Sequence, residues 1–260
     1  MKKGKRMKQG LRLACLYSWG CEPLLKMDFP QLRIANFIKS SIRIDNRRFQ
    51  RRIPWILKIL KRLDPYYYYQ LIACLFDVEN PFDESVVRAH WQGEGLERIP
   101  EGFLSFFKGR LDFGFNPRSD RKKAIRIVLG PLRRICMLKK GFPFHNFDVF
   151  LQVKRMKKFT PRSLMYINGC LIRPAQVLGE KRIGQKNLLH VRIMFVFSEN
   201  GCLKIGEREE FISPEFIEGV KEEEWVSVHF GWAREIITPE TAENIKKLTE
   251  QALAFSNQGG

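Results

Sequence analysis

The sequence lacks an uninterrupted apolar run of about 18 residues, so it encodes no helix able to cross a membrane. It also lacks a phosphate-cradling loop ending in Gly-Lys-Ser/Thr and a Gly-x-Gly-x-x-Gly turn after a strand. Gly-x-Ser-x-Gly and His-Glu-x-x-His are absent as well, which argues against a serine hydrolase elbow and a zincin helix. Cysteines number six (Cys15, Cys21, Cys74, Cys136, Cys170 and Cys202), none in a Cys-x-x-Cys pair. That spacing argues against a zinc knuckle and reads as reduced thiols, mostly buried. Histidine is scarce, with four residues. The start, "MKKGKRMKQGLRLACLYSWGC", has the basic head of an export signal, but Arg12 interrupts its apolar part and no small-residue cleavage pattern follows. The expectation is a flexible basic tail over residues 1–10, then a first helix, in a cytoplasmic protein.

What is present can fill a core. Of 260 residues, 44% are hydrophobic and 21 are phenylalanine, which excludes a disordered chain. The net charge of +18 is segregated along the sequence. Residues 1–62 carry 17 basic and 3 acidic groups, and residues 108–193 carry 21 and 4. Residues 63–107 and 194–260 are net acidic, by −6 and −7. Such segregation produces a local field that concentrates anionic partners.

The first half reads helical. "GLRLACLYSWG", "FPQLRIANFIKSS", "IPWILKILKRLD" and "DPYYYYQLIACLF" carry helical periodicity, with Pro54 and Pro65 expected at first helical positions. "PFDESVVRAHWQG" and "PEGFLSFFKGRL" add short helices, and residues 119–141 read as a helix interrupted at Gly130-Pro131. Beyond "KKGFPFHN" the pattern changes. "HNFDVFLQV" alternates like a strand, Asn168-Gly169 gives a hairpin signal, and "NLLHVRIMFVF" and "CLKIGEREEF" form a hairpin around "SENG". "EWVSVHFGW" reads as a last strand turning at Gly231-Trp232, and Thr238-Pro239 opens a terminal helix. The expected class is α+β: a helical domain over 11–141, then a small sandwich- or barrel-like antiparallel β region with a C-terminal helix over 142–260.

Three groups of residues carry candidate chemistry. Arg47, Arg48, Arg51 and Arg52 precede the helix expected to begin at Pro54, a place suited to an anion, with Phe49 and Trp55 as stacking surfaces. Arg121, Lys122, Lys123 and Arg126 form a second basic face opposite Ile125, Val128 and Leu132. His145 and His229 open and close the β region; with Asp148 they compose a two-histidine, one-carboxylate metal set if they converge. The acidic stretch 79–101 reads as helix-start and surface residues. No cofactor is firmly implied.

Several stretches resemble one family. They are Tyr67 or Tyr68, Ile72-Ala73, Pro81 with Asp83, Val86-Val87 and His90-Trp91-Gln92-Gly93; then His145, Phe147, Val149 and Phe150; then His229, Trp232, Thr238, Leu248, Thr249, Leu253 and Asn257. "LYSWGCEP", with Cys21 and Pro23, is a looser match. The pattern is similar to the prokaryotic family of domains of unknown function numbered six-three-nine-zero. Asp148 and Arg234 stand where that pattern has a histidine and a cysteine. The resemblance implies an accessory role beside nickel-iron hydrogenase.

Three readings follow. The first is a non-catalytic adaptor docking an acidic protein through its basic surfaces. The second is a nucleic-acid binder using the arginine quartet. The third is a metal-dependent enzyme or metallochaperone.

Overall fold

The computed structural model describes residues 2–19, 29–61, 65–96, 144–153 and 159–257. The chain divides into two compact units, Met1–Phe144 and His145–Gly260.

In the first unit, α1 (Lys2–Ser18), α2 (Phe29–Ile42), α3 (Asn46–Leu60), α4 (Pro65–Leu75) and α5 (Glu84–Gln92) pack together. Helix α1 begins at Lys2, so the segment expected as a tail is its first half. Its Leu11, Ala14 and Cys15 are fully buried. Burial pushes the Cys15 thiol up to about 12, beyond the pull of Arg12 in the other direction. Gly10 marks the closest approach of α1 to the loop before α5: a Cβ there would lie 2.1 Å from the Phe82 carbonyl oxygen. Tyr17 of α1 stacks on Trp91 of α5 at 5.3 Å and accepts a hydrogen bond from Gln92 Nε2 at 2.7 Å. Helix α5 has the ends that its sequence announces, with Asp83 as N-cap and Gly93 left-handed at its C-terminus.

Helix α3 starts eight residues earlier than Pro54 suggests. Asp45 caps it, accepting from the backbone N–H of Arg47 and Arg48 at 2.9 and 3.0 Å. Phe49, Ile53, Ile56 and Leu60 then form one continuous buried stripe. Pro54 is tolerated inside the helix because Gln50 and Pro54 are both exposed; the carbonyl that proline leaves without a donor faces solvent.

In the second unit, α6 (His145–Val153) and α7 (Pro161–Cys170) precede a five-stranded antiparallel sheet of β1 (Arg173–Ile183), β2 (Lys186–Glu199), β3 (Cys202–Ile212), β4 (Trp225–His229) and β5 (Trp232–Ile237). Helix α8 (Pro239–Asn257) follows. The strand order is β3-β2-β1-β4-β5, a single open sheet whose covering layer is helical, where a sandwich- or barrel-like form was expected. One face holds Ala175, Val177, Leu189, Val191, Ile193, Val226 and Val228, with Ile217 and Val220 of the β3–β4 connection packed on it. Met194 and Val196, alternate positions on β2, turn to the other face, and Ala242, Ile245, Leu248, Thr249 and Ala252 are buried on α8. Asn200 and Gly201 both have positive φ, the combination that a tight β-hairpin needs between β2 and β3.

Three sequence expectations are corrected here. "HNFDVFLQV" is helix α6 rather than a strand, because its apolar residues are dense enough to satisfy both periods. "SLMYINGC" is helix α7 rather than half of a hairpin: Thr160 and Ser163 form a capping box with Pro161 at the first position. Asn168 is buried in α7 and exchanges two hydrogen bonds of 2.7 Å with the backbone of Val196 on β2. The final turn lies at Phe230-Gly231, one residue earlier than expected, and Trp232 opens β5 rather than leading into the helix.

Candidate functional site

The ends of three elements meet in the second unit. His145 is the first residue of α6, Cys170 the last of α7 and His229 the last of β4. All three side chains are buried, and one potential ligand atom from each lies within 4.8 Å of the other two. The rings of His145 and His229 are 5.6 Å apart and nearly perpendicular, at 85°. His145 Nε2 lies 3.9 Å from Cys170 Sγ.

The surrounding backbone is pinned. Asn146 Oδ1 accepts from Ile172 N–H at 2.8 Å, while its Nδ2 donates to Ile172 O at 2.9 Å and to Thr249 Oγ1 of α8 at 2.8 Å. This ties the start of α6 to the chain just past Cys170. Phe230 N–H donates to Gly169 O at 2.8 Å, tying the end of β4 to the end of α7. Phe230 holds φ at +51°, a strained value for a bulky residue, so His229 sits at a turn fixed by its surroundings. Arg234, fully buried on β5, donates to His229 O at 3.1 Å and lies over the Phe216 and Trp232 rings. The arginine that replaces the expected cysteine therefore positions the His229 backbone.

Burial holds His145 down at about 4, against the opposing pull of its hydrogen bond to the Cys170 carbonyl. The imidazole is thus neutral near neutral pH, the form that binds metals. Its Nε2 is 3.0 Å from Cys170 O, and ligation through Nε2 exchanges that bond for the ion. A tetrahedral ion with bonds of about 2.0–2.3 Å needs donor atoms roughly 3.3–3.8 Å apart, so small side-chain rotations close the group. Two imidazoles and a thiol suit zinc, nickel or copper(I) and not magnesium or calcium.

The sequence placed His145 and His229 at the ends of one region, and the structure brings their rings together. Asp148 lies one turn further along α6, half-buried and outside the group of three. Cys170 was missed as a donor: it lies 25 residues after His145 and 59 before His229, with no motif spacing. Cys21 lies outside the described residues.

The arginine quartet divides. Arg47, Arg48 and Arg51 are exposed on α3, whereas Arg52 donates to Ser40 and Ser41 of α2 and covers the Phe37 ring. The anion position expected at a helix start is filled by the Asp45 carboxylate, held below its ordinary value first by the Arg48 N–H. Arg121, Lys122, Lys123 and Arg126 lie outside the described residues.

No curated protein and no solved structure matches the chain. Residues 61–259, which include all three donors, match a family of proteins, and the residues of α1, α2 and α3 precede that match. The chain therefore belongs to the family described as "Family of unknown function (DUF6390)".

Proposed function

We propose that the protein is a cytoplasmic, metal-holding accessory protein whose second unit binds one transition-metal ion through His145, Cys170 and His229. The observation that carries this reading is the convergence of three buried donor side chains from three separate elements. Burial of the whole set favours holding an ion over turning over a bulky substrate at it. The sequence resemblance supplies the setting, in which the protein serves nickel-iron hydrogenase or its maturation.

The test is elemental analysis of protein purified from cells supplied with nickel, zinc and iron. One equivalent of metal is expected in the native protein and in Cys202→Ser, whose cysteine is exposed. Cys170→Ser and His229→Gln should each lose most of it. Metal content unchanged by Cys170→Ser would sink the reading.

A further inference from the structure

We propose that α2 and α3 form a helix-turn-helix unit that docks duplex DNA, with the first turns of α3 in the major groove. Helix α2 ends at Ile42 and α3 begins at Asn46, leaving a turn of Arg43, Ile44 and Asp45. That connection has the length that joins the two helices of such a unit. Arg12 of α1 fixes the turn: its guanidinium donates to Ile42 O and Ile44 O, each at 2.8 Å, and lies 4.1 Å from the centre of the Phe49 ring. The turn is therefore tied to α1 through Arg12.

The outer face of α3 carries the charge. Its buried stripe is Phe49, Ile53, Ile56 and Leu60. On the opposite side, at spacings of four and seven, lie Arg47, Arg51 and Lys58, all exposed and flanked by Arg48, Lys61 and the exposed Trp55. No acidic residue occurs in α3. Among the described residues neither Arg47 nor Arg51 has an ion-pair partner. The first turns of the second helix are the part that meets base edges in this arrangement. Arginine is the side chain whose fork fits guanine O6 and N7. Lys58 and Lys61, further along the helix, fit flanking phosphates.

Duplex DNA suits this face better than its alternatives. The deep, narrow major groove of duplex RNA does not admit a helix. A single-strand track needs successive stacking rings, and Trp55 is the one large aromatic side chain exposed in the first unit's described residues. An acidic polypeptide would complement the charge but gives no reason for arginines to gather in the first two turns after a short fixed turn.

This inference does not depend on the metal reading, and its test uses the full chain with and without chelator. The probe is a fluorescein-labelled mixed-sequence duplex of 20 base pairs, followed by anisotropy over a range of salt. Binding should weaken steeply with salt, with a log-log slope of roughly −0.9 per neutralised phosphate. Arg47→Ala/Arg51→Ala should weaken binding about tenfold or more. Lys181→Ala/Arg182→Ala, at the exposed β1–β2 hairpin, should leave it unchanged. Far-UV circular dichroism of both variants checks that they fold. Equal affinity of the arginine variant would overturn the proposal. So would equal binding of a duplex RNA, or displacement of DNA by polyglutamate at matched charge, which would make the face a dock for acidic protein.

Discussion

Asn146 shows how a single side chain can hold a site it does not line. It satisfies both the N–H and the C=O of Ile172 and reaches Thr249 of α8, all in buried surroundings. Removing it leaves buried backbone groups without their partner, which costs more than the loss of the bonds alone. Asn146→Ala is expected to lower the stability of the second unit by about 3 kcal/mol, read from urea unfolding followed at Trp225 and Trp232. A midpoint within error of native would contradict the bracing role. At this scale the sequence was partly legible. His145 and His229 stood out because histidine is scarce and both bounded a change of pattern. Cys170 carried no such signal, since its neighbours in space come from positions far away in the chain. Asn168 misled, because Asn-Gly is a strong turn pair in isolation. Here its amide is used instead to hold Val196 of β2, a tertiary demand that local propensity does not contain.

Elements meet at places where local preference and packing disagree, and Gly10 is the sharpest of these. Alanine in a helix is normally more stable than glycine by about 1 kcal/mol. At Gly10 the added Cβ would sit 2.1 Å from Phe82 O and 2.8 Å from the Asp83 carbonyl carbon, both backbone atoms with little freedom to yield. Gly10→Ala is therefore expected to destabilise the first unit, by about 2 kcal/mol or more, seen as a lower melting temperature. A raised melting temperature would show that α1 does not approach α5 this closely. Helix boundaries were legible where a capping residue marks them, as at the Asp83 side chain and the left-handed Gly93. They were missed where proline was given too much weight, as at Pro54, whose exposed position lets the helix run through it. For α6 the period was ambiguous because its five apolar residues of nine recur at spacings of two, three and four. For α7 the capping box Thr160-Pro161-Arg162-Ser163 was the available signal, and the Asn-Gly pair outweighed it.

One unit holds the three converging donors and the other the basic face of α3, and the family match separates them. The match begins at Lys61, just past α3, so the three donors fall within the family's segment and the arginine face before it. The two parts of the first unit are nonetheless packed together through Tyr17 and Trp91. The α+β class, the closing helix and the β2–β3 hairpin were readable from periodicity and turn chemistry alone. The open sheet was not, because strand order depends on long-range pairing, such as β1 with β4, that no local pattern encodes. The convergence of three element ends on one point depends on such pairing, so the site became visible only with the fold. The most direct measurement on it is X-ray absorption fine structure at the zinc edge of the protein loaded with one equivalent of zinc. The account predicts one sulfur scatterer at about 2.3 Å and imidazole nitrogens at about 2.0–2.1 Å, with the sulfur lost in Cys170→Ser. A first shell of oxygen and nitrogen alone, identical in native protein and Cys170→Ser, would contradict it.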